Sequence, residues 1–110
     1  GGVSAVIDFV GSDVTAQFGF NALNVGGQLI IVGLFGGAVE WSVPLFPLKS
    51  ISVIGSYVGS LQDMKELMSM VSEGRIKPIL VEARPLSEVN ETLEDLAQGK
   101  IVGRVVLKPF

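Results

Sequence analysis

The sequence predicts an α/β fold with a doubly wound parallel sheet. Short runs of branched apolar residues, such as VSAVIDFV (3–10) and SISVIGSY (50–57), alternate with segments of helical periodicity. These runs are apolar almost throughout, as in strands that are buried on both faces of a parallel sheet. Hydrophobic residues make up 48% of the chain and charged residues 17%, so a folded core is expected. The predicted order is β-α-β-loop-β-α-β-α-β.

The first strand is predicted over residues 3–10 and is followed by a helix. Ser12 or Asp13 has the side chain that an N-cap needs. Gly26-Gly27 is a typical helix end, and QLIIVG (28–33) then forms the second strand. The apolar positions of this helix have helical spacing and are expected to be buried: Val14, Phe18, Ala22 and Val25.

Residues 34–50 are predicted to be a long ordered loop. Pro44 and Pro47 exclude an ordinary helix, because proline removes a backbone donor and crowds the preceding turn. The third strand, 50–57, follows this loop.

A second helix is predicted to begin at Ser60, which together with Asp63 has the spacing of a capping box. Gly74 is expected to end it. The buried stripe of this helix is predicted to contain five residues: Leu61, Met64, Leu67, Met68 and Val71.

The remaining segment is predicted to be a short strand, a helix and a last strand. The strands cover 79–83 and 103–108, and the helix opens at Pro85 and Ser87 and closes at Gly99. Its inward positions are predicted to be Val89, Leu93, Leu96 and Ala97.

Composition excludes several classes of function. The chain has no cysteine and no histidine, so it cannot alone form a Cys/His zinc site or a Ser-His-Asp catalytic unit. The net charge of −3 argues against nucleic acid or an anionic membrane as a partner. No apolar run approaches the roughly 20 residues that span a bilayer, no signal peptide is visible, and we expect a cytoplasmic location.

The stretch GGQLIIVGLFGG (26–37) has the appearance of a phosphate-binding loop. Such a loop needs helix N-terminal amides, and two prolines rather than a helix follow these glycines. A different interpretation is that Gly11, Gly33 and Gly55 each lie at the carboxyl end of a strand, where ligands bind open α/β sheets. The alternative is that each glycine only permits a turn.

Two further features have structural interpretations. Asp8 lies in an apolar strand, and a buried carboxylate of this kind is more often a hydrogen-bonded structural residue than a catalytic one. Trp41 and Phe46 are expected to pack the long loop rather than to line a substrate cleft.

Six motifs in order and spacing carry a resemblance to a known family: DFVG, GGQLIIVG, IGSYVGS, GRIKP, PLSEVNETLEDL and GRVVLKP. Together they resemble the C-terminal third of the medium-chain dehydrogenase/reductase family, in its zinc-type alcohol dehydrogenase branch. The resemblance implies that residues 1–77 are the C-terminal half of an NAD(P)-binding Rossmann domain. Residues 78–110 would be a return strand, helix and final strand that lead to a GroES-like catalytic domain. On this basis we expect the chain to be a C-terminal fragment.

The resemblance also implies which residues border the NAD(P) cofactor. Arg104 would reach the pyrophosphate, a role that suits its bidentate fork, and the alternative is a plain surface or interdomain ion pair. The other implied residues are Val10 and Gly11 beside the adenosine side or its ribose, Gly33, Leu34 and Phe35 at the nicotinamide, and Ile54, Gly55 and Ser56 at the carboxamide.

The implied activity is hydride transfer between the nicotinamide and an alcohol or carbonyl substrate. Zinc would act as a Lewis acid from the upstream part, so this chain contributes no catalytic residue and no metal ligand and is expected to be inactive alone. Strand 51–57, an edge rich in Ile and Val, is expected to pair with its copy in a homo-oligomer. The alternatives are a zinc-free NADPH quinone or enoyl reductase of the same superfamily and a non-catalytic oligomerisation module.

Overall fold

The computed structural model describes residues 1–109 and divides into two compact units. The first unit covers Gly1–Ser60 and the second begins at Leu61. The predicted α/β class and the predicted order of strands and helices are both confirmed, with one short helix added in the long loop. Within the described residues no helix is long and apolar enough to cross a membrane.

The first unit is a three-stranded parallel sheet with one long helix. Its strands are hydrogen-bonded in chain order, with Val6 opposite Leu29 and Leu29 opposite Val53. Its elements are β1 (Val3–Asp8), α1 (Asp13–Ala22), β2 (Leu23–Ile31), α2 (Leu45–Lys49) and β3 (Ser52–Gly55).

The second unit contains a two-stranded parallel sheet, in which Val81 lies opposite Arg104. Arg84 joins this sheet to the following helix, because its Nη1 donates to Asp95 Oδ2 at 2.9 Å. That bond lowers the pKa of the Asp95 carboxyl. The elements are α3 (Leu61–Ser72), β4 (Val81–Pro85), a 3-10 turn (Leu86–Glu88), α4 (Val89–Ala97) and β5 (Arg104–Lys108).

The core of the first unit lies between α1 and one face of the sheet. Leu29 is fully buried at the centre of this face, and Phe20 of α1 is 2% exposed. The long loop closes over Phe20, because Trp41 stacks on its ring at 4.7 Å between centroids and Phe46 approaches it at 5.5 Å. The prediction that Trp41 and Phe46 pack the long loop is therefore confirmed.

The predicted apolar stripe of α1 is wrong. Val14 and Phe18 are 72% and 74% exposed, whereas Ala16 and Phe20 are buried. Both sets have helical spacing, so periodicity alone does not decide which of them faces the sheet. Gly26-Gly27 also does not end the helix, because α1 ends at Ala22 and both glycines lie within β2.

The loop over residues 34–50 contains a helix that the prolines were expected to exclude. Pro44 is the N-cap of α2, and Pro47 lies in its first turn. A helix has no intrahelical acceptor for its first four N–H groups, so a proline there removes no hydrogen bond. Two prolines therefore restrict where a short helix begins without forbidding one.

The predicted buried stripes of the two later helices are also wrong for the described part of the chain. No residue of α3 is buried, and every member of its apolar stripe is at least 40% exposed. In α4 the buried residue is Thr92, while Leu93 and Leu96 are 57% and 61% exposed. The predicted end of α3 is correct, since Gly74 has φ +71° and its N–H donates to the Val71 carbonyl.

Two phenylalanines of α1 provide a matched test of this packing. Phe20→Ala is expected to lower the free energy of unfolding by about 3–5 kcal/mol, because it removes a buried ring and leaves a cavity. Phe18→Ala makes the same chemical change at a site that is 74% exposed and is expected to stay within about 0.5 kcal/mol. Urea unfolding followed by far-UV circular dichroism measures both, and equal losses would contradict the assigned helix phase.

Candidate functional site

Asp8, the last residue of β1, organises the carboxyl edge of the sheet. Its carboxylate Oδ1 accepts hydrogen bonds from the backbone N–H groups of Val10 at 3.0 Å and Gly11 at 2.9 Å. Its Oδ2 accepts from Thr15 Oγ1 in α1 at 2.9 Å. The bond from Gly11 is the largest influence that lowers the pKa of Asp8, against the opposing effect of burial. Asp8 is 5% exposed, and the prediction that it is a hydrogen-bonded structural residue is confirmed.

The backbone carbonyl of Asp8 holds the end of the neighbouring strand. It accepts from Val32 N at 2.9 Å and from Gly33 N at 3.0 Å. One residue therefore fixes the turn after β1 through its side chain and the turn after β2 through its main chain.

Gly11 and Gly33 bring the two strand ends into direct backbone contact. A Cβ added at Gly11 would overlap the Gly33 carbonyl, and one added at Gly33 would overlap the Val10 carbonyl. Gly11 also has φ +68°, a conformation that favours glycine. These two glycines therefore do more than permit turns, since no other residue fits between the strands.

The loop after β2 continues along this contact. Phe35 N donates to the Val10 carbonyl and Gly36 N to the Gly11 carbonyl, each at 3.1 Å. A parallel bridge then joins Ser12 to Gly36. The N–H and carbonyl groups of Val10 and Gly11 are thereby all hydrogen-bonded within the chain. The surface they present is a flat backbone.

An open cleft of about 320 Å³ lies at this edge, beside the Gly11–Gly33 contact. Its wall is mostly apolar side chain and glycine backbone, which suits a flat and largely apolar ring. The lining residues are Gly11, Ser12, Asp13, Ala16, Ile31, Gly33, Leu34, Gly36, Gly37 and Val39.

The cleft is poorly suited to phosphate. Ser12 Oγ accepts from Thr15 N at 3.1 Å and Asp13 Oδ1 accepts from Val14 N at 2.9 Å, so the second and third amides of α1 are satisfied by the chain itself. The Asp13 side chain adds a carboxylate to the wall, which repels an anion. After Gly36 and Gly37 the next helix is α2, which begins at Leu45. The stretch 26–37 therefore lacks the helix that a phosphate loop requires.

The third strand extends the same edge. Ile54 pairs with Ile30 and Gly55 with Ile31, and Ser56 N donates to the Ile31 carbonyl at 2.9 Å. The Ser56 N–H is thus used by the sheet. No atom lies within 4 Å of the position where a Gly55 Cβ would be, so this glycine faces open space.

The structure therefore brings eight of the nine predicted residues to one edge of the first unit. Arg104 belongs to the second unit, where it begins β5 and its backbone N donates to the Leu80 carbonyl at 2.9 Å. Its side chain is exposed and takes part in no ion pair of the described residues.

Sequence reasoning missed the part of the cleft formed by Ser12, Gly36, Gly37 and Val39. The strand-end rule points to the residues that follow each strand directly, but these lie further along the loops. Positive φ values at Gly36 (+112°) and Gly37 (+109°) turn the loop back toward α1. A glycine pair signals such a turn but not its direction.

The described residues do not form a metal site. No group of three or more Asp, Glu, His or Cys side chains among residues 1–109 could hold a metal ion. The acidic residues therefore offer no first coordination sphere, and no zinc chemistry is assigned to this part of the chain.

A parallel α/β sheet with a glycine-lined cleft at its carboxyl edge places the chain in the class of open α/β folds, in which ligands lie across the strand ends. Comparison with known proteins then gives the family. Residues 1–107 match the zinc-binding dehydrogenase family, and the chain belongs to it.

The curated relatives are alcohol dehydrogenases. The chain is 37% identical over 108 residues to the NAD-dependent alcohol dehydrogenase of Saccharolobus solfataricus, covering 98% of this chain and 31% of that protein. It is 37% identical over 110 residues to an alcohol dehydrogenase of Geobacillus stearothermophilus, covering 98% of this chain and 32% of that protein. The chain thus spans about a third of the length of these relatives.

Solved structures agree with the family assignment. The alcohol dehydrogenase of Aeropyrum pernix superimposes with a TM-score of 0.86 at 35% identity, over 98% of this chain and 31% of that one. The acetophenone reductase of Geotrichum candidum, solved in complex with NAD, gives a TM-score of 0.84 at 28% identity, over 99% of this chain and 32% of that one.

Two glycines at this edge test the backbone contact. Gly33→Ala is expected to lower the free energy of unfolding by about 1–3 kcal/mol, because its methyl group overlaps the Val10 carbonyl and the strand ends must separate. Gly55→Ala, on the neighbouring strand, meets open space and is expected to change stability by less than about 0.5 kcal/mol. Urea unfolding followed by the fluorescence of the single tryptophan, Trp41, compares them. A Gly33→Ala protein as stable as Gly55→Ala would contradict the contact.

Proposed function

We propose that this chain is the cofactor-binding, C-terminal part of an NAD-dependent alcohol dehydrogenase-like oxidoreductase. The observation that carries the proposal is the Gly11–Gly33 contact beside an open cleft at the carboxyl edge of a parallel sheet. The relatives named as NAD-dependent alcohol dehydrogenases support the choice of cofactor and reaction. NADP in place of NAD is the alternative cofactor.

In this proposal the edge binds the cofactor by shape. Gly33, Leu34 and Phe35 border the nicotinamide and its ribose, and Leu34 and Phe35 are 80% and 82% exposed and therefore available for contact. Val10 and Gly11 lie beside the adenosine side or its ribose. The backbone at Val10 and Gly11, whose N–H and carbonyl groups are all hydrogen-bonded within the chain, suits contact with a flat ring.

Ile54, Gly55 and Ser56 approach the carboxamide in the same proposal. Because the Ser56 N–H is already donated to Ile31, the carboxamide partners are the remaining main-chain groups at this strand end. Arg104 binds the pyrophosphate through its guanidinium, for which its exposed side chain is free of ion pairs within the described residues.

The proposed reaction moves a hydride between the nicotinamide and the carbon of an alcohol or carbonyl substrate. When bound, zinc would polarise the substrate oxygen, and its ligands belong to the part of the protein beyond these residues. This chain binds and orients the cofactor and contributes no acid, base or metal ligand.

The proposed domain organisation assigns residues 1–77 to the second half of a Rossmann domain and residues 78–110 to a return segment. The second face of the first sheet supports it, because the apolar side chains of Ile7 and Ile54 there are 55% and 42% exposed. A doubly wound sheet carries helices on both faces. In this proposal the covering segments belong to the part of the protein that the longer relatives have and this chain lacks.

We also propose a cytoplasmic location.

NADH titration of the isotope-labelled 110-residue chain tests the proposed site. We expect weak binding, with a dissociation constant on the order of 0.1–1 mM, because the phosphate loop of the family is absent. Amide shifts should concentrate at Val10, Gly11, 33–35 and 54–56. The same preparation should show no NAD-linked oxidation of alcohols, since the chain has no catalytic group of its own.

Two exposed apolar residues give matched variants for this titration. Leu34→Glu places a carboxylate on the cleft wall and is expected to weaken NADH binding about tenfold. Val43→Glu makes the same change away from the cleft, at a side chain of similar exposure, and should leave affinity within about twofold. NADH shifts scattered outside the edge, or alcohol oxidation by the chain alone, would contradict the proposal.

We also propose that the edge strand 51–57 pairs with its copy in a homo-oligomer. β3 is the last strand of its sheet, so one of its sides carries unpaired backbone groups within the described unit. Ile54 and Val53 supply the apolar cover that stable pairing needs. Such pairing would extend the sheet from one protomer to its partner.

A lysine on this edge is expected to prevent oligomer formation. Ser52→Lys places like charges across the proposed pair and should give monomers by light scattering. Gln28→Lys puts the same charge on the register partner of Ser52 in the central strand, which has no free edge, and should leave the oligomer intact. Stable oligomers that bind no NADH would instead favour a non-catalytic self-association module.

A further inference from the structure

We infer that Asp8 is a positioning residue for cofactor binding: its carboxylate fixes the Val10–Gly11 turn in the shape that the nicotinamide cofactor meets. The inference rests on the proposed function, because it concerns how that site is formed. Asp8 itself lies behind the turn and is not among the residues that line the cleft.

The hydrogen-bond geometry identifies what the carboxylate does. A single oxygen, Oδ1, accepts from both Val10 N and Gly11 N, so the two consecutive amides point inward, away from the cleft. With these amides pointing inward, the Val10 and Gly11 carbonyls accept from Phe35 N and Gly36 N in the facing loop. Both walls of the cleft therefore depend on the same acceptor.

The second oxygen ties the turn to the helix. Thr15 Oγ1 donates to Asp8 Oδ2 at 2.9 Å, and Thr15 also takes part in the capping box with Ser12. Ser12 is itself a lining residue of the cleft. The carboxylate thus connects the strand end, the turn and the first turn of α1 from one buried position.

Asparagine is the informative replacement, because it keeps the size of the side chain and one acceptor oxygen. Its amide oxygen can accept from Val10 N and Gly11 N, and its NH₂ group can donate to Thr15 Oγ1. Alanine removes the acceptor and leaves two partly buried amides without a partner. The role assigned here requires the acceptor rather than the charge, and the two variants separate these possibilities.

The test is NADH titration of the 110-residue chain and its variants, followed by amide shifts and by hydrogen exchange. Asp8→Ala is expected to weaken NADH binding at least about tenfold and to speed exchange at Val10 and Gly11, while Leu29 in the core stays protected. Asp8→Asn should keep both properties within about threefold of the unmodified chain. Asp8→Ser, whose hydroxyl is too short to reach both amides, should fall between the two and replaces Asp8→Ala if that variant does not fold.

A stability control separates positioning from a general loss of structure. Phe20→Leu weakens the core beneath α1 without touching the turn, so its folded molecules should bind NADH as the unmodified chain does. Unchanged affinity in Asp8→Ala, or in Asp8→Ser where it replaces that variant, would overturn this inference and leave the proposed function standing. Loss of affinity in Asp8→Asn equal to that in Asp8→Ala would also overturn it, since charge rather than geometry would then decide. No NADH shift in the unmodified chain would overturn the proposed function and this inference together.

Discussion

The backbone contact between Gly11 and Gly33 is the constraint on which the candidate site depends. Side chains ordinarily keep the backbones of neighbouring loops apart. Here a Cβ on either residue would overlap a carbonyl of the other strand's turn, and the loops run side by side instead. The contact sets the path of residues 33–37, and that path brings Gly36 against Ser12 at the start of α1. The cleft is the space left beside this arrangement.

The same contact decides what kind of ligand the edge suits. Because the facing loops donate to one another and Asp8 accepts the inward amides, few polar groups remain for a ligand to pair with. Recognition by such a surface depends on shape and apolar contact. Charged parts of a cofactor must be bound elsewhere. The cap of α1 already uses amides that could bind phosphate, and the Asp13 carboxylate on the cleft wall repels an anion. The nicotinamide end of a dinucleotide therefore suits this edge better than its phosphates do.

Much of the fold follows from the sequence, whereas the side of each helix that is buried does not. The strands are recognisable because branched apolar runs end in glycine, and Ser12 and Gly74 mark a helix start and a helix end that the structure confirms. In α1, however, two sets of apolar residues have helical spacing. The buried set contains Phe20, where Gly19 lies close to Leu29 of the sheet and Trp41 stacks on the Phe20 ring. At the site, Gly11, Gly33 and Gly55 are predictable from the strand-end rule. The contributions of Gly36 and Ser12 depend on a loop path that spacing does not encode.

The apolar stripes of α3 and α4 are exposed in this chain. A stripe such as Leu61, Met64, Leu67, Met68 and Val71 has the pattern of a buried helix face, yet all five residues are at least 40% exposed. Large exposed apolar patches mark interaction surfaces or promote aggregation, so such a stripe is expected on a face that is covered in the working protein. The relatives are about three times as long as this chain, so the proposed function accounts for the stripes as surfaces that the rest of the enzyme covers. In that proposal the apolar pattern of the sequence corresponds to burial in the full-length enzyme, and the same residues are exposed in this chain alone.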